Sequence, residues 1–176
     1  MRNLYMLTQA ELKHILDYNP DTGIFTWKNP HKQGRAKPGK PAGTIKLCGT
    51  VGSKRPYHYI HFGRKWYRSH RLAWLYMTGS WPEKEIDHIN NNTLDNRFVN
   101  LREADHQQNG YNKKLQANNT SGVKGVYWDK SRCKWMARLN INGRMVNLGR
   151  FANIEDAVKK IMEEREKHHG EFFNHG

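Results

Sequence analysis

The sequence predicts an α+β chain of two small units, on three observations. Residues 57–69 read as a hairpin that runs directly into a helical apolar stripe. Residues 134–148 alternate with a period of two around an Asn-Gly turn, and a second helical stripe follows from Ile154. Between these patterns, residues 111–120 lack apolar periodicity. A length of 176 residues permits one domain or two small ones. The expected layout is residues 1–110, a linker over 111–120, and a second domain over 121–176.

The first element is a short helix. Thr8 can cap it, Glu11 completes a capping box, and Leu7 with Leu12 supplies the apolar staple. Leu12, Ile15 and Leu16 then give one packed face. Pro20-Asp21-Thr22-Gly23 is a turn, leading to a strand at Ile24-Phe25-Thr26-Trp27. Residues 28–43 hold three Pro and three Gly with Lys28, Lys32, Arg35, Lys37 and Lys40. This basic loop can track a phosphate backbone or simply be solvated. Tyr57 to Phe62 turns at Gly63-Arg64 into Lys65-Trp66-Tyr67-Arg68, and the stripe from His70 to Met77 ends at Gly79. Trp74 and Leu75 belong to its packed side.

In the second unit, Gly122 to Trp128 is one candidate strand. Trp135, Ala137, Leu139 and Ile141 alternate with Lys134, Met136, Arg138 and Asn140. Asn142-Gly143 is the preferred two-residue hairpin turn. It sets Leu139 opposite Val146 and Ala137 opposite Leu148 on the buried side. Lys134, Arg138, Asn140 and Asn147 then share the open side. Ile154, Ala157, Val158, Ile161 and Met162 form a helix stripe that can cover the buried side.

Charge narrows the function. Lys plus Arg number 30 against 16 Asp plus Glu, a net of +14 that favours a polyanionic partner. Residues 1–80 carry 14 basic and 3 acidic side chains, and residues 111–150 carry 9 and 1. Residues 81–110 reverse the balance with 3 and 6, and residues 151–176 hold 4 and 6. Cys48 and Cys133 form no CxxC pair, which argues against a disulfide framework or a cysteine zinc site. No apolar run approaches the roughly 20 residues of a membrane span, and no signal peptide opens the chain. A soluble, reducing compartment such as the cytoplasm is expected, with no membrane and no obligate protein partner.

The acidic island contains Ile86-Asp87-His88-Ile89, a run of asparagines, Asn100-Leu101-Arg102 and Gln107-Gln108-Asn109. Phosphodiester hydrolysis needs an activated water and a cation that stabilises the charge developing on phosphorus and the leaving oxygen. Asp87 offers a hard oxygen suited to Mg²⁺, and the amide oxygen of Asn109 is a compatible second ligand. His88 points elsewhere and can take a proton near neutral pH. Asn100 can hold its imidazole in one tautomer.

His70-Arg71-Leu72-Ala73, Ile86-Asp87-His88-Ile89-Asn90, Asp95-Asn96-Arg97 and Asn100-Leu101-Arg102 together resemble the HNH endonucleases of phages and mobile introns. In that family the site is a ββα-metal finger, here expected over about residues 60–110. The resemblance implies His88 as general base, Asp87 as metal ligand and Asn100 as the central Asn that fixes His88. The third position falls at Asn109, as a ligand to one Mg²⁺ or Mn²⁺. Many members have histidine there, and commonly Glu before it, where this chain has Gln108. His106 and Asn112 are alternative ligands one turn away. Arg71 and Arg97 are expected at the phosphate, unless Arg97 braces the loop.

Ser121-Gly122-Val123-Lys124-Gly125-Val126, Trp128, Lys134-Trp135, Ala137, Leu148-Gly149 and His169-Gly170-Glu171-Phe172 are similar to the apetala/ethylene-response-factor DNA-binding domain. That resemblance implies a three-stranded sheet in the major groove. The expected contacts are Lys124, Trp128, Lys134, Arg138, Asn140, Arg144 and Asn147. Such a domain often follows an HNH nuclease in phage proteins. The combined expectation is a metal-dependent endonuclease on double-stranded DNA, nicking or cutting both strands, of phage homing type and working in the host cytoplasm. The competing expectations are a DNA-binding regulator with an inert HNH motif and, last, an RNA binder.

Overall fold

The computed structural model describes residues 6–30, 36–51, 53–113, 115 and 118–173. Lys32 and Arg35 of the basic loop lie outside these residues. The chain divides into two compact units, residues 1–103 and 104–176. Sequence placed this boundary later, with a linker at 111–120. Within the second unit the Tyr111 ring stacks on His169 at 3.5 Å, and the Lys124 ammonium donates to the Tyr111 and Lys113 carbonyls. These ties attach residues 111–113 to the C-terminal unit.

The first unit opens with α1, Gln9–Ile15, capped by Thr8 and Glu11 as expected. The helix stops because Leu16 turns extended, at φ −131° and ψ 145°. Strand β1, Leu16–Asn19, follows at once and pairs antiparallel with β2, Ile24–Trp27. Strands β3 (Thr44–Cys48), β4 (Arg55–Phe62) and β5 (Lys65–Arg68) form an antiparallel sheet in that order. The β4–β5 hairpin turns at Gly63-Arg64, both with positive φ. Helix α2, Ser69–Thr78, ends at Gly79 in the left-handed conformation, as the glycine foretold. Leu12, Leu16, Phe25, Ile60, Leu72 and Leu75 build the core of this unit. Each such side chain contributes about 1.5–3 kcal/mol by leaving water. Strands β6 (Glu85–His88) and β7 (Leu101–Ala104) pair as a two-stranded sheet, with a 3₁₀ turn at Phe98–Asn100 before β7. Helix α3, His106–Tyr111, comes next in the chain.

The second unit is an antiparallel sheet in the order β10-β9-β8, with β8 at Val126–Asp129, β9 at Lys134–Ile141 and β10 at Arg144–Phe151. Helix α4, Ile154–His169, packs on it through Ala157 and Ile161 against Val126, Ala137 and Leu139. Asn142 and Gly143 both have positive φ, the geometry of a tight hairpin turn. Leu139 pairs with Val146 as expected, but Ala137 lies opposite Gly149 and not Leu148. A bulge at Leu148 shifts the register. Asn147 Oδ1 accepts from Gly149 N at 3.1 Å, and Gly149 takes φ +135°, a conformation that favours glycine.

Candidate active site

Strand β6 carries Asp87 and His88 side by side, each only 5% exposed. Neighbouring strand residues point to opposite sides, so the two groups meet different surroundings. On Asp87's side stands Arg102 from β7, whose Nε and Nη2 both donate to Asp87 Oδ2 at 3.0 Å. This nearly buried pair fixes the carboxylate in orientation.

On the other side, His88 Nε2 lies 3.4 Å from Asn96 Oδ1. An amide oxygen only accepts, so this contact places the proton of neutral His88 on Nε2 and the basic lone pair on Nδ1. The His88 ring meets the His70 ring edge-on, with centroids 5.0 Å apart, and His70 meets Tyr57 similarly at 5.8 Å. Burial pushes the His88 pKa below its usual value, opposed by the Asn96 hydrogen bond and the charges of Asp87 and Asp95. His70 is pushed down to about 3, chiefly by burial and then by His88.

The loop after His88 is held by its asparagines. Asn100 Oδ1 accepts from Asn90 N at 3.0 Å, and Asn100 Nδ2 donates to Asn90 Oδ1 at 3.0 Å and to the Asp95 carbonyl at 2.8 Å. Asn90 Nδ2 donates to Asp95 Oδ2 at 2.7 Å. Arg97 grips the same carboxylate through Nε and Nη2 at 2.8 and 2.6 Å, the chief reason that Asp95 is held down to about 2. From the first hairpin, the Tyr18 hydroxyl donates to the Asn96 carbonyl at 2.7 Å. The result is a braced loop that sets the Asn96 amide beside the His88 ring.

Residues 67–111 match the family model described as HNH endonuclease. The chain is also 35% identical over 106 residues to Protein 3.8 of Escherichia phage T7, an alignment covering 60% of this chain and 87% of that protein. The chain belongs to the family of that phage protein and carries an HNH endonuclease domain. No solved structure matches it.

The HNH segment spans Arg71, Asp87, His88, Arg97, Asn100 and Asn109. Asn100 braces the loop, and the amide beside the imidazole belongs to Asn96. Arg97 braces the loop as well, through Asp95, while the Arg71 guanidinium sits 5.8 Å from the Trp81 ring centroid. Asn109 is on α3, in the second unit. Gln108 there fills a specific place: its Oε1 accepts from Asp105 N at 2.9 Å, and Asp105 Oδ1 accepts from Gln108 N at 2.8 Å. It is the N3 partner of a capping box, which accounts for an amide at that position. Arg102, Asn96 and His70 stand in the motifs, yet sequence reasoning gave none of them a role. Only strand pairing brings Arg102 to Asp87, 15 residues away.

Among the described residues, no group of three or more His, Cys, Asp or Glu side chains converges as a metal cage. The donors present are a hard carboxylate and amides. That set fits a hydrated Mg²⁺ or Mn²⁺ completed by substrate phosphate, and not a structural zinc.

In the second unit the registers sort the expected DNA contacts. Cross-strand partners share a face. Arg138 pairs with Asn147, and Lys134 and Asn140 lie on the same side of β9. Tyr127 and Arg150 join them there, each opposite Met136, and the Arg138 guanidinium lies 5.4 Å over the Tyr127 ring. Trp128 pairs with Trp135, and Arg144 with Ile141, so both lie on the α4 side instead. The Lys124 ammonium is held by backbone carbonyls; burial, then Arg165, lowers its pKa to about 8.

Proposed function

We propose that this protein is a metal-dependent DNA endonuclease that hydrolyses phosphodiester bonds. The observation carrying this reading is the buried Asp87-His88 pair on a braced loop, within the segment that matches the HNH family. His88 is the general base, taking the water proton on its imidazole while Asn96 holds the ring. Its depressed pKa favours the neutral imidazole, the form that can accept a proton. Asn100 acts by fixing the loop that presents Asn96. Asp87 would hold one Mg²⁺ or Mn²⁺, which would stabilise charge on the phosphate and the leaving oxygen. Arg102 keeps Asp87 oriented for that task.

The open face of β8–β10 supplies the grip on double-stranded DNA, in the manner of the apetala-type domain that the sequence resembles. Arg138 suits guanine edges, and Asn140 and Asn147 suit adenine edges. A phage enzyme of homing type fits this pairing of a nuclease with a DNA-reading module. A second reading, a DNA-binding regulator with an inert site, draws on the Arg102–Asp87 pair, which neutralises the carboxylate a metal would use.

Supercoiled plasmid with Mg²⁺ or Mn²⁺ decides between them. The wild type should convert it to open circle, and His88→Ala should slow that by about 100-fold or more. Undiminished nicking by His88→Ala would remove His88 as the base. A wild type that shifts the plasmid without nicking it would establish the second reading.

A further inference from the structure

The β3–β4–β5 sheet of the first unit has a second chemistry-bearing face. Lys46 lies opposite Tyr57, Tyr59 opposite Arg68, and His61 opposite Trp66, so all six side chains share one side of the sheet. Ile60, fully buried, belongs to the other side. Cations rest on the rings. The Lys46 ammonium is 2.9 Å from the Trp66 centroid, and the Arg68 guanidinium is 5.0 Å from that of Tyr57. Arg68 Nε also donates to the Tyr59 hydroxyl at 3.0 Å, and His61 packs on Trp66 at 4.7 Å. Trp66 remains 49% exposed.

Two absences in the sequence define what this face can hold. Between Asp21 and Glu83 there is no Asp or Glu at all, so the cations have no nearby carboxylate in sequence. Among the described residues, no ion pair engages Lys46 or Arg68. Residues 44–68 also contain no Asn or Gln. Reading the base edges of a duplex draws on amides as well as Arg, and a duplex keeps its base faces stacked inside. An amide-free sheet of rings and cations matches instead the demands of an unpaired strand, whose bases stack on aromatic side chains while its phosphates take the charges.

We propose that this face is a platform for single-stranded DNA, with bases stacking on Trp66 and Tyr57 and phosphates drawing Lys46 and Arg68 off the rings. The choice of DNA over RNA rests on the nuclease reading above. The surface lies apart in sequence from the catalytic loop and differs in chemistry from the amide-bearing C-terminal sheet.

The test is fluorescence anisotropy of a labelled oligothymidylate of about 20 nucleotides, beside a duplex of equal length, in EDTA so that no cleavage intervenes. Trp66→Ala should weaken single-strand binding about tenfold, the worth of one stacked base, and change duplex binding by less than about twofold. Trp66→Phe, which keeps a ring, should retain most of the affinity. Thermal melts of both variants confirm that they fold. Unchanged single-strand affinity in Trp66→Ala overturns the proposal. So does an equal loss on single strand and duplex, which would make the face a general phosphate contact. In the same assay, tighter wild-type binding of oligouridylate than of oligothymidylate would overturn the assignment to DNA. Because binding is read without metal, failure here is separable from failure of the nuclease reading, which plasmid nicking reports.

Discussion

His70 and His88 are both buried with their rings edge-on, and at residue scale this couples the site to the stability of the fold. Burial disfavours a proton on either ring, and the neighbouring His88 adds to this at His70. The folded His70 does not accept one until about pH 3, whereas an unfolded chain binds it near 6.5. In that interval the unfolded state holds more protons, so stability present above pH 6.5 is lost progressively as pH falls towards 3. One such group sets a slope of about 1.4 kcal/mol per pH unit inside the window. Urea melts at pH 7 and pH 5 should show this loss, and His70→Phe should flatten it by removing one titrating ring while keeping the contact to Tyr57. An unchanged slope in His70→Phe would show that His70 titrates normally. Sequence made the dipeptide Asp87-His88 legible because the residues are adjacent and their chemistry is distinctive. The supports were not legible, because Arg102, Asn96 and His70 come from another strand, a loop and a helix, and only folding gathers them.

At the scale of elements, the first hairpin positions the loop that follows His88. Gly23 closes the β1–β2 turn at φ +72°, and a Cβ added there would stand 2.5 Å from Arg97 N and from the Asn96 carbonyl carbon. The Tyr18 hydroxyl and the Pro20 carbonyl reach the same stretch, bonding Asn96 O and Phe98 N. Gly23→Ala therefore combines a strained conformation with a backbone clash, a cost of about 1–3 kcal/mol or more. The expected result is a melting temperature lowered by several degrees and slower nicking, since Asn96 would move from His88. A variant with wild-type melting and nicking would show that the loop does not depend on the hairpin. Elements with local chemistry were readable in sequence: the Thr8–Glu11 box, the Gly63-Arg64 and Asn142-Gly143 turns, and the helix stop at Gly79. Strand β1 was hidden because Leu16 also continues the apolar stripe of α1. Strand β3 was hidden because its alternation buries neither side, with Ile45 and Leu47 exposed. The bulge at Leu148 escaped because a hairpin register extrapolated from its turn assumes an unbroken ladder.

Across the whole molecule, charge is divided by task. The first 80 residues and residues 111–150 hold most of the excess cations, while the segment with Asp87, Asp95 and Glu103 is net acidic. Basic surfaces that neutralise phosphates make affinity steeply salt-dependent, and a local excess of acid suits a divalent cation. On the proposed function this division separates grip from chemistry, and it predicts which kinetic constant each surface controls. Arg138→Ala with Asn147→Ala removes a cation and an amide from the face of β9 and β10 without touching the buried Ala137–Leu139–Ile161 side. Duplex affinity should fall by about tenfold or more, since a good bidentate base contact is worth about 1–3 kcal/mol. The slope of log affinity against log salt should also drop by about one if Arg138 neutralises a phosphate. Nicking at low plasmid concentration should slow in proportion, whereas the rate at saturating plasmid should hold, because the catalytic loop lies in the other unit. A fall in the saturating rate equal to the fall at low plasmid would mean that this sheet contributes to the chemical step and not to binding alone. His88→Ala is expected to give the converse pattern, unchanged affinity with a lost rate, and the two variants together test whether grip and cleavage are separable in this chain.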